Sequence, residues 1–380
     1  MTREKLKVVT IVGTRPEIIK LSRVLAELDR HTRHVLVHTG QNYDYELNGI
    51  FFADLGIRQP DHYLDVASAS VAETIAAIIV RCDLILDEEK PDAVLFYGDT
   101  NSCLAVIAAK RRKIPVFHME AGNRSFDERV PEEINRRLID DLSDVNMTNS
   151  EHARRYLLAE GKRPELVLKT GSPMREVLEH ILPTLDPAAV LEGLNLSPQN
   201  YFLVSCHREE NVDDDRLLGA LVDCLADLRQ RHDVPVIVTT HPRTRQRLEQ
   251  LASGYATSGV VWSKPFGYRA YLALQMQAKC VISDSGTITE EASLLGFPAV
   301  MVRDAHERPE GVDAGVLPFV SLGEGRLAEA VEMVLLQATE RPAPRLVPDY
   351  SAERVSQAVA RILLSYTGYV NRVIWRRTDG

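Results

Sequence analysis

Short, unbroken apolar runs alternate along the chain with longer segments in which apolar residues recur every three or four positions. Unbroken runs are typical of strands buried on both faces of a parallel sheet. The longer segments are typical of amphipathic helices that cover such a sheet. In the first half, the predicted strands are Val8–Val12, Val35–His38, Ala93–Tyr97, Val116–Met119, Val145–Thr148 and Val167–Thr170, and the predicted helices are Pro16–Leu28, Val71–Glu88, Asn101–Lys110, Glu132–Leu142 and Glu151–Glu160.

The same alternation restarts after a stretch near Leu182–Asn200 that is rich in proline and leucine. Here the predicted strands are Phe202–Ser205, Val236–Thr239, Val260–Trp262, Cys280–Ser283 and Ala299–Val302, and the predicted helices are Asp215–Arg231, Arg245–Leu251, Tyr268–Gln277, Thr289–Leu295 and finally Ala352–Tyr366.

Two successive series of strands and helices predict an α/β protein with two doubly wound, Rossmann-like domains and an interdomain cleft. We predict a first domain over residues 1–176 and a second over residues 177–354. We expect the C-terminal helix, about residues 355–380, to pack back on the first domain.

Polar clusters follow the predicted strands where each apolar run ends. Ligands of open α/β sheets bind beyond the carboxyl ends of the strands, so we expect these clusters to face the cleft. They are Gly13–Glu17, Gly98–Asn101 and Glu120–Arg124 in the first series, and His207–Glu210, His241–Arg243 and Ser285–Gly286 in the second.

Composition narrows the kind of ligand that these clusters could bind. The chain has 380 residues, enough for two domains, and its 45 basic and 54 acidic residues give a formal net charge of −9. Such a charge gives no general attraction to nucleic acid or to an anionic membrane. No apolar run reaches the ~18 residues of a membrane span, and no signal peptide is evident, so we expect a cytoplasmic protein.

The segment from Val281 to Ala292 has the pattern of a phosphate-binding turn. An apolar strand runs into Ser285-Gly286, after which a helix begins that carries Glu290 and Glu291. The N–H groups of a first helical turn are unpaired, and the helix dipole adds partial positive charge there. The carboxylates suit ribose hydroxyls, so the pattern favours a sugar nucleotide. An ordinary helix cap is the alternative, since Ser and Asp favour that position.

Four residues are candidates for acid–base chemistry: Asp99, Glu120, Glu132 and His207. Asp99 follows a strand, and a helix cap is the alternative interpretation. Glu120 also follows a strand, before an Ala-Gly turn that would hold its carboxylate at the floor of the cleft. Glu132 lies at a helix start, where the dipole alone favours an acid. His207 ends a buried strand, which favours a phosphate ligand or an acid over a packing histidine.

Three cations are candidates for binding the substrate. Arg15, fixed by its turn and by Pro16, is predicted to clamp a diphosphate. Lys20 lies on the following helix and faces either the cleft or solvent. Arg136 comes one helical turn after Glu132, so we predict that it orients that carboxylate. The chain has no HExxH, Walker or GxGxxG motif, and its five scattered cysteines have no ligand spacing, so we expect neither a metal nor a nicotinamide cofactor.

As a set, the motifs resemble the non-hydrolysing UDP-N-acetylglucosamine 2-epimerase family from Val8 to about Tyr366. They occur in the order Gly13–Glu17, Gly98–Thr100, His118–Gly122, Pro131–Arg136, Asp284–Gly286, Arg303-Asp304 and Glu307–Glu310. The resemblance implies a fold like that of the GT-B glycosyltransferases and the interconversion of UDP-GlcNAc and UDP-ManNAc through elimination and re-addition of UDP. It also implies a homodimer that supplies precursors for surface polysaccharide.

The resemblance also assigns roles to individual residues. It implies proton transfer for Asp99, Glu120 and Glu132, and a place near the diphosphate for His207. It implies nucleotide binding for Arg15, Ser285, Gly286 and Glu291, and it aligns Tyr271 with an aromatic residue under the uracil, although Tyr271 could also be a core residue. Lys20, Arg136 and Thr287 are further candidates for binding the substrate, and Gln41 is a candidate for an allosteric UDP-GlcNAc site.

Some positions depart from the usual family pattern, including Thr287 where many members have glycine. These departures resemble the branch that forms UDP-N-acetyl-L-fucosamine from a 6-deoxy-L-talo sugar nucleotide, so that substrate stays open. A hydrolysing epimerase, a GT-B glycosyltransferase and a non-enzymatic sugar-nucleotide-binding regulator also stay open.

Overall fold

The protein is described by a computed structural model over residues 4–40, 52, 54–240, 244–245, 247–248, 259–340 and 346–377. The chain forms two compact units. The first unit contains Met1–His180 and Pro348–Gly380, and the second contains Ile181–Val347. In the described part of the chain, no helix is both long and apolar enough to cross a bilayer.

The first unit is built on a seven-stranded sheet in which all paired strands are parallel. The order is β3-β2-β1-β4-β5-β6-β7. The strands are β1 (Lys7–Val12), β2 (Arg33–His38), β3 (His62–Tyr63), β4 (Ala93–Tyr97), β5 (Val116–Met119), β6 (Val145–Thr148) and β7 (Val167–Lys169). The α-helices are α1 (Arg15–His31), α2 (Val71–Glu89), α3 (Val106–Arg111), α4 (Pro131–Leu142), α5 (Glu151–Ala159) and α6 (Met174–Ile181).

The second unit repeats this winding with six parallel strands, in the order β10-β9-β8-β11-β12-β13. The strands are β8 (Phe202–Ser205), β9 (Val236–Thr239), β10 (Val260–Ser263), β11 (Cys280–Ser283), β12 (Ala299–Val302) and β13 (Phe319–Val320). The helices are α7 (Pro187–Gly193), α8 (Glu209–Val212), α9 (Asp215–His232), α10 (Tyr268–Gln277), α11 (Thr287–Leu295), α12 (Pro309–Asp313) and α13 (Leu327–Glu340). The last helix, α14 (Val355–Val373), belongs to the first unit and packs on α1.

The apolar positions of the strands and helices form the buried cores of the two units. All five residues of β4 are buried, as expected for a central strand with helices on both faces. Helix α1 turns a buried stripe, including Ile18, Leu21 and Leu25, toward the sheet. Helix ends follow local rules: Asp214 caps α9, because its Oδ1 accepts from the backbone N–H of Arg216 at 2.8 Å. The predicted α/β class with two doubly wound sheets is confirmed.

Several boundaries differ from the sequence prediction. The single helix predicted over Asn101–Lys110 is a 3₁₀ turn, Asn101–Ala105, followed by α3. Helix α11 begins at Thr287 instead of Thr289, and α14 begins later than Ala352 and ends beyond Tyr366. Helices α6, α7, α8, α12 and α13 and the two-residue strands β3 and β13 were not predicted. Most of the predicted helix Arg245–Leu251 lies outside the described residues, as do His241, Pro242 and Arg243.

Candidate active site

In the first unit, the strand order reverses between β1 and β4, which are hydrogen-bonded neighbours. Successive helices leave such a pair in opposite directions, so the loops beyond their carboxyl ends leave a crevice. The loop after β1 is Gly13-Thr14, and the loop after β4 is Gly98-Asp99-Thr100. This topology brings Asp99 to the edge of the sheet from which α1 begins.

Glu120 follows β5 in a left-handed backbone conformation, with φ of 63°. That conformation is uncommon for a residue with a side chain, so surrounding contacts must hold it. Its Oε2 accepts from Nζ of Lys20 at 2.7 Å and from the hydroxyl of Tyr97 at 2.8 Å. It also accepts from Nδ2 of Asn149 at 3.3 Å. The Lys20 side chain is only 2% exposed, so Lys20 is directed inward and not toward solvent.

Asp99 pairs with Arg136, whose Nε donates to its Oδ2 at 2.7 Å. The same guanidinium donates through Nη1 to Oε2 of Glu133 at 3.1 Å. We predicted that Arg136 orients Glu132, whereas these contacts join it to Asp99 and Glu133. Glu133 is fully buried, and its Oε2 accepts from the backbone N–H of Ser125 at 2.8 Å. Glu132 is the second residue of α4 and is half-buried.

A buried hydrogen-bond network connects the loops that carry Asp99 and Glu120. His118 contacts the carbonyl oxygen of Gly98 through Nε2 and Oδ1 of Asp140 through Nδ1, both at 2.8 Å. The other carboxylate oxygen of Asp140 accepts from the backbone N–H of Gly122 at 3.1 Å and from Arg124 at 2.7 Å. Burial raises the pKa of Asp140, but His118 and Arg124 outweigh it, so the pKa lies below its ordinary value.

A further carboxylate in this region, Glu17, was not among the residues to which sequence analysis assigned a role. Its side chain accepts hydrogen bonds from Gly13 and Thr14 in the loop after β1 and from Thr100 in the loop after β4. Its place three residues after Thr14 was the available signal, since glutamate at the third helical position often caps a helix.

In the second unit, the strand order reverses between β8 and β11, and Asp284 lies directly after β11. Its buried Oδ2 accepts from the backbone N–H groups of His207 and Arg208, at 2.8 and 2.9 Å. It also accepts from Nδ2 of Asn211 at 3.2 Å. Its Oδ1 lies 3.3 Å from Nδ1 of His207, whose side chain is 49% exposed. Asp284 therefore fixes the loop that carries His207 and Arg208, and about half of the His207 side chain is exposed.

Ser285 and Gly286 form the turn that leads into α11. The Ser285 hydroxyl lies 3.0 Å from that of Thr287, and Gly286 occupies the position before the helix. A side chain at position 286 would force neighbouring groups to shift, because its Cβ would lie 2.5 Å from Nη1 of Arg308 and 2.5 Å from Oε1 of Glu307. The turn therefore keeps the unpaired N–H groups of the helix start beside an arginine, an arrangement suited to an anion.

The other predicted nucleotide residues lie in different environments. Glu291 is buried and accepts from Nε2 of Gln275 at 2.7 Å. Tyr271 packs against an apolar cluster of the second unit, and burial raises the pKa of its hydroxyl. Arg15 is the first residue of α1 and is half-buried. Gln41 lies outside the described residues.

The fold and these groups define an α/β protein with cation-paired carboxylates after strands of one sheet, and with a helix start suited to an anion after a strand of the other. Comparison with known proteins identifies its family. The model of the family described as UDP-N-acetylglucosamine 2-epimerase matches residues 26–364. The chain belongs to the UDP-N-acetylglucosamine 2-epimerase family.

Three similar proteins illustrate the range of this family. The structure of UDP-N-acetylglucosamine 2-epimerase from Rickettsia bellii is 51% identical, with a TM-score of 0.92 over 98% of this chain and 100% of that chain. The Methanocaldococcus jannaschii UDP-GlcNAc 2-epimerase, solved in complex with UDP-GlcNAc and UDP, is 32% identical, with a TM-score of 0.86. The match covers 94% of this chain and 99% of that chain. A Pseudomonas aeruginosa UDP-2,3-diacetamido-2,3-dideoxy-D-glucuronate 2-epimerase is 32% identical over 94% of this chain and 100% of its own length.

Proposed function

We propose that this protein is a non-hydrolysing epimerase that interconverts UDP-GlcNAc and UDP-ManNAc. The observation that carries the proposal is the set of inward-facing carboxylates paired with cations at the sheet edge: Glu120 with Lys20, and Asp99 with Arg136. Carboxylates held in this way are suited to exchange a proton with a weakly acidic C–H group. The family membership and the relative solved with UDP-GlcNAc support the choice of substrate.

The reaction begins at the anomeric carbon of the sugar. The C1–O bond breaks, and its electron pair leaves with UDP. Positive charge at C1 makes the neighbouring C2–H acidic enough for a carboxylate to remove the proton, which gives 2-acetamidoglucal with a C1–C2 double bond. Return of a proton to the opposite face of C2 and of UDP to C1 gives the epimer.

We assign a role in this chemistry to each candidate residue. Asp99, Glu120 and Glu132 are the proton-transfer candidates. Arg15, His207 and the Ser285–Thr287 turn bind the diphosphate, which stabilises the developing charge of the leaving group. With Nδ1 of His207 beside Asp284, Nε2 is left for a phosphate oxygen. Glu291 and Tyr271 are assigned to the ribose and uracil.

Turnover in heavy water tests this function. We expect UDP-GlcNAc to yield UDP-ManNAc, with deuterium at C2 of both sugars, as read by proton NMR. Asp99→Asn and Glu120→Gln should abolish turnover and keep UDP binding, whereas exchange of the exposed Asp141 for Asn should change neither. Free ManNAc as the main product would show hydrolysis instead, and a product that forms only with an added acceptor would show glycosyl transfer.

A second substrate class is favoured by two observations. Thr287 occupies the position where many family members have glycine, and the Pseudomonas aeruginosa relative is named for a UDP-diacetamido-glucuronate. The alternative is therefore a 2-epimerase of another UDP-2-acetamido sugar, including the 6-deoxy-L-talo precursor of UDP-N-acetyl-L-fucosamine. Parallel assays with the gluco, diacetamido-glucuronate and 6-deoxy-L-talo nucleotides would decide between them.

A homodimer and a cytoplasmic role in surface-polysaccharide synthesis complete the proposal. Neighbouring helices α2, α3 and α4 carry exposed apolar side chains, among them Leu84, Ile107 and Leu138, which support self-association. Light scattering after gel filtration should give twice the chain mass. Leu84→Glu should halve that mass, and Leu336→Glu, at an equally exposed leucine of the second unit, should not.

A further inference from the structure

Glu17 joins two loops that leave neighbouring strands at the switch point of the first sheet. Its Oε2 accepts from the backbone N–H of Gly13 at 2.5 Å and of Thr14 at 2.9 Å. Its Oε1 accepts from the hydroxyl of Thr100 at 2.5 Å, in the loop that carries Asp99. The residue is only 3% exposed.

Helix capping accounts for only one of these three bonds. A glutamate at the third helical position normally caps by accepting from the N–H of the residue before the helix, here Thr14. Glu73 does this at the start of α2, where its Oε2 accepts from the N–H of Ser70 at 3.2 Å and the side chain is exposed. At Glu17 the carboxylate is buried, and a second loop contributes a donor. The chain therefore offers a matched capping glutamate for comparison.

The charge of Glu17 is sensitive to pH near neutrality. Burial, opposed by the hydrogen bonds from Thr100, Gly13 and Thr14, raises its pKa from 4.5 to about 7. The negative charge of Asp99, which itself pairs with Arg136, also raises the pKa of Glu17. The buried thiol of Cys103 lies close enough that the charges of Asp99 and Glu17 raise its pKa. On its own helix, Arg15 precedes it and Lys20 follows, with the Lys20 ammonium engaged by Glu120.

We propose that Glu17 is a positioning residue that fixes the Asp99–Thr100 loop against the Gly13-Thr14 loop, which directly precedes Arg15. An ionised carboxylate only accepts hydrogen bonds, so it can hold all three donors at once. A protonated one must donate from one oxygen, so the bond to Thr100 has to reverse or break. The inference rests on the proposed function, because it assigns Glu17 a role through Asp99.

The pH dependence of turnover tests this role with two matched variants. Glu17→Gln keeps the shape and the capping ability but cannot ionise. We expect its kcat at pH 8 to fall by about 10- to 100-fold, with KM changed by less than about threefold, as for a displaced catalytic group. The variant should also lose the acid limb that the wild type shows near pH 7. Glu73→Gln should match the wild type throughout.

Thermal unfolding without substrate gives an independent readout. A carboxyl whose pKa in the folded state is above 4.5 binds a proton more tightly when folded, so its contribution to stability falls as pH rises from 4.5 to about 7. The melting temperature of the wild type, relative to that of Glu17→Gln, should therefore fall over this range. Coincident thermal profiles would overturn the proposal.

A Glu17→Gln pH–rate profile that coincides with that of the wild type would also overturn it. In that case Glu17 would be a buried cap without influence on Asp99. If the wild type turns over no UDP sugar, the proposed function fails. The thermal comparison would still show whether Glu17 changes its protonation state between pH 4.5 and about 7, as the positioning role requires.

Discussion

The ammonium group of Lys20 lies 2.7 Å from Oε2 of Glu120, a residue 100 positions further along the chain. The contact ties the helix after β1 to the turn after β5, and both groups are largely withdrawn from solvent. A buried pair of this kind contributes little net stability, but removing one partner leaves a buried charge uncompensated.

Lys20→Met should therefore impair both stability and turnover. We expect the free energy of unfolding to fall by about 3 kcal/mol, as for other broken buried pairs. We expect kcat to fall at least about 100-fold, because Glu120 is left without its cation. Urea unfolding and the heavy-water assay measure the two effects. The double variant with Glu120→Gln should recover part of the stability and none of the activity, and simple additivity would contradict the pairing.

Asp284→Asn should separate catalysis from binding in the second unit. Asparagine can still accept from the N–H groups of His207 and Arg208, but it removes the negative charge beside Nδ1 of His207. We expect kcat to fall about 10- to 100-fold with UDP affinity nearly unchanged, since the His207 ring loses the carboxylate charge that lies 3.3 Å from its Nδ1. Adding His207→Ala to Asp284→Asn should lower kcat only a little further. Independent effects of the two substitutions on kcat would refute the coupling.

Asp140→Asn should lower the free energy of unfolding at neutral pH by about 3 kcal/mol, because it removes one charged member of a buried network. Since His118 and Arg124 hold the pKa of Asp140 below its ordinary 3.8, its contribution is present above that pKa and is lost as pH falls through the lowered value. The difference in unfolding free energy between wild type and variant should thus be constant from about pH 5 to 8 and shrink only in stronger acid. Asp141→Asn, at an exposed neighbour, is the control.

Gly286→Ala should weaken nucleotide binding and leave the fold intact. The added Cβ would displace the ends of Glu307 and Arg308, each 2.5 Å away, from beside the helix start. We expect the dissociation constant for UDP, measured by calorimetry, to rise by about tenfold, an effect of about 1.4 kcal/mol.

Gly219→Ala, in the middle of α9 where a Cβ meets nothing within 4 Å, should bind UDP normally. Its stability should rise by about 0.5–1 kcal/mol. Equal UDP affinity in the two variants would argue against an anion site at this turn.

The sequence by itself determined the doubly wound architecture and most of the central strands. Runs such as Ala93–Tyr97 are apolar at every position, because a strand covered on both faces has no polar side. The same local signals could not predict β3 or β13, which are two-residue strands that exist only by pairing with a neighbour. Helix α13 carried a readable apolar spacing that sequence analysis did not use.

Only the tertiary structure determined which charged side chains pair with one another. The sequence placed Arg136 one turn after Glu132, yet its guanidinium joins Asp99, 37 residues away, to Glu133. Nor did local pattern assign a role to Glu17 or Asp284, each of which holds a loop from another strand. Residue spacing fixes neighbours along one helix, but strand order fixes which loops lie side by side at the edge of a parallel sheet. Pairing partners therefore follow from the winding of the whole sheet.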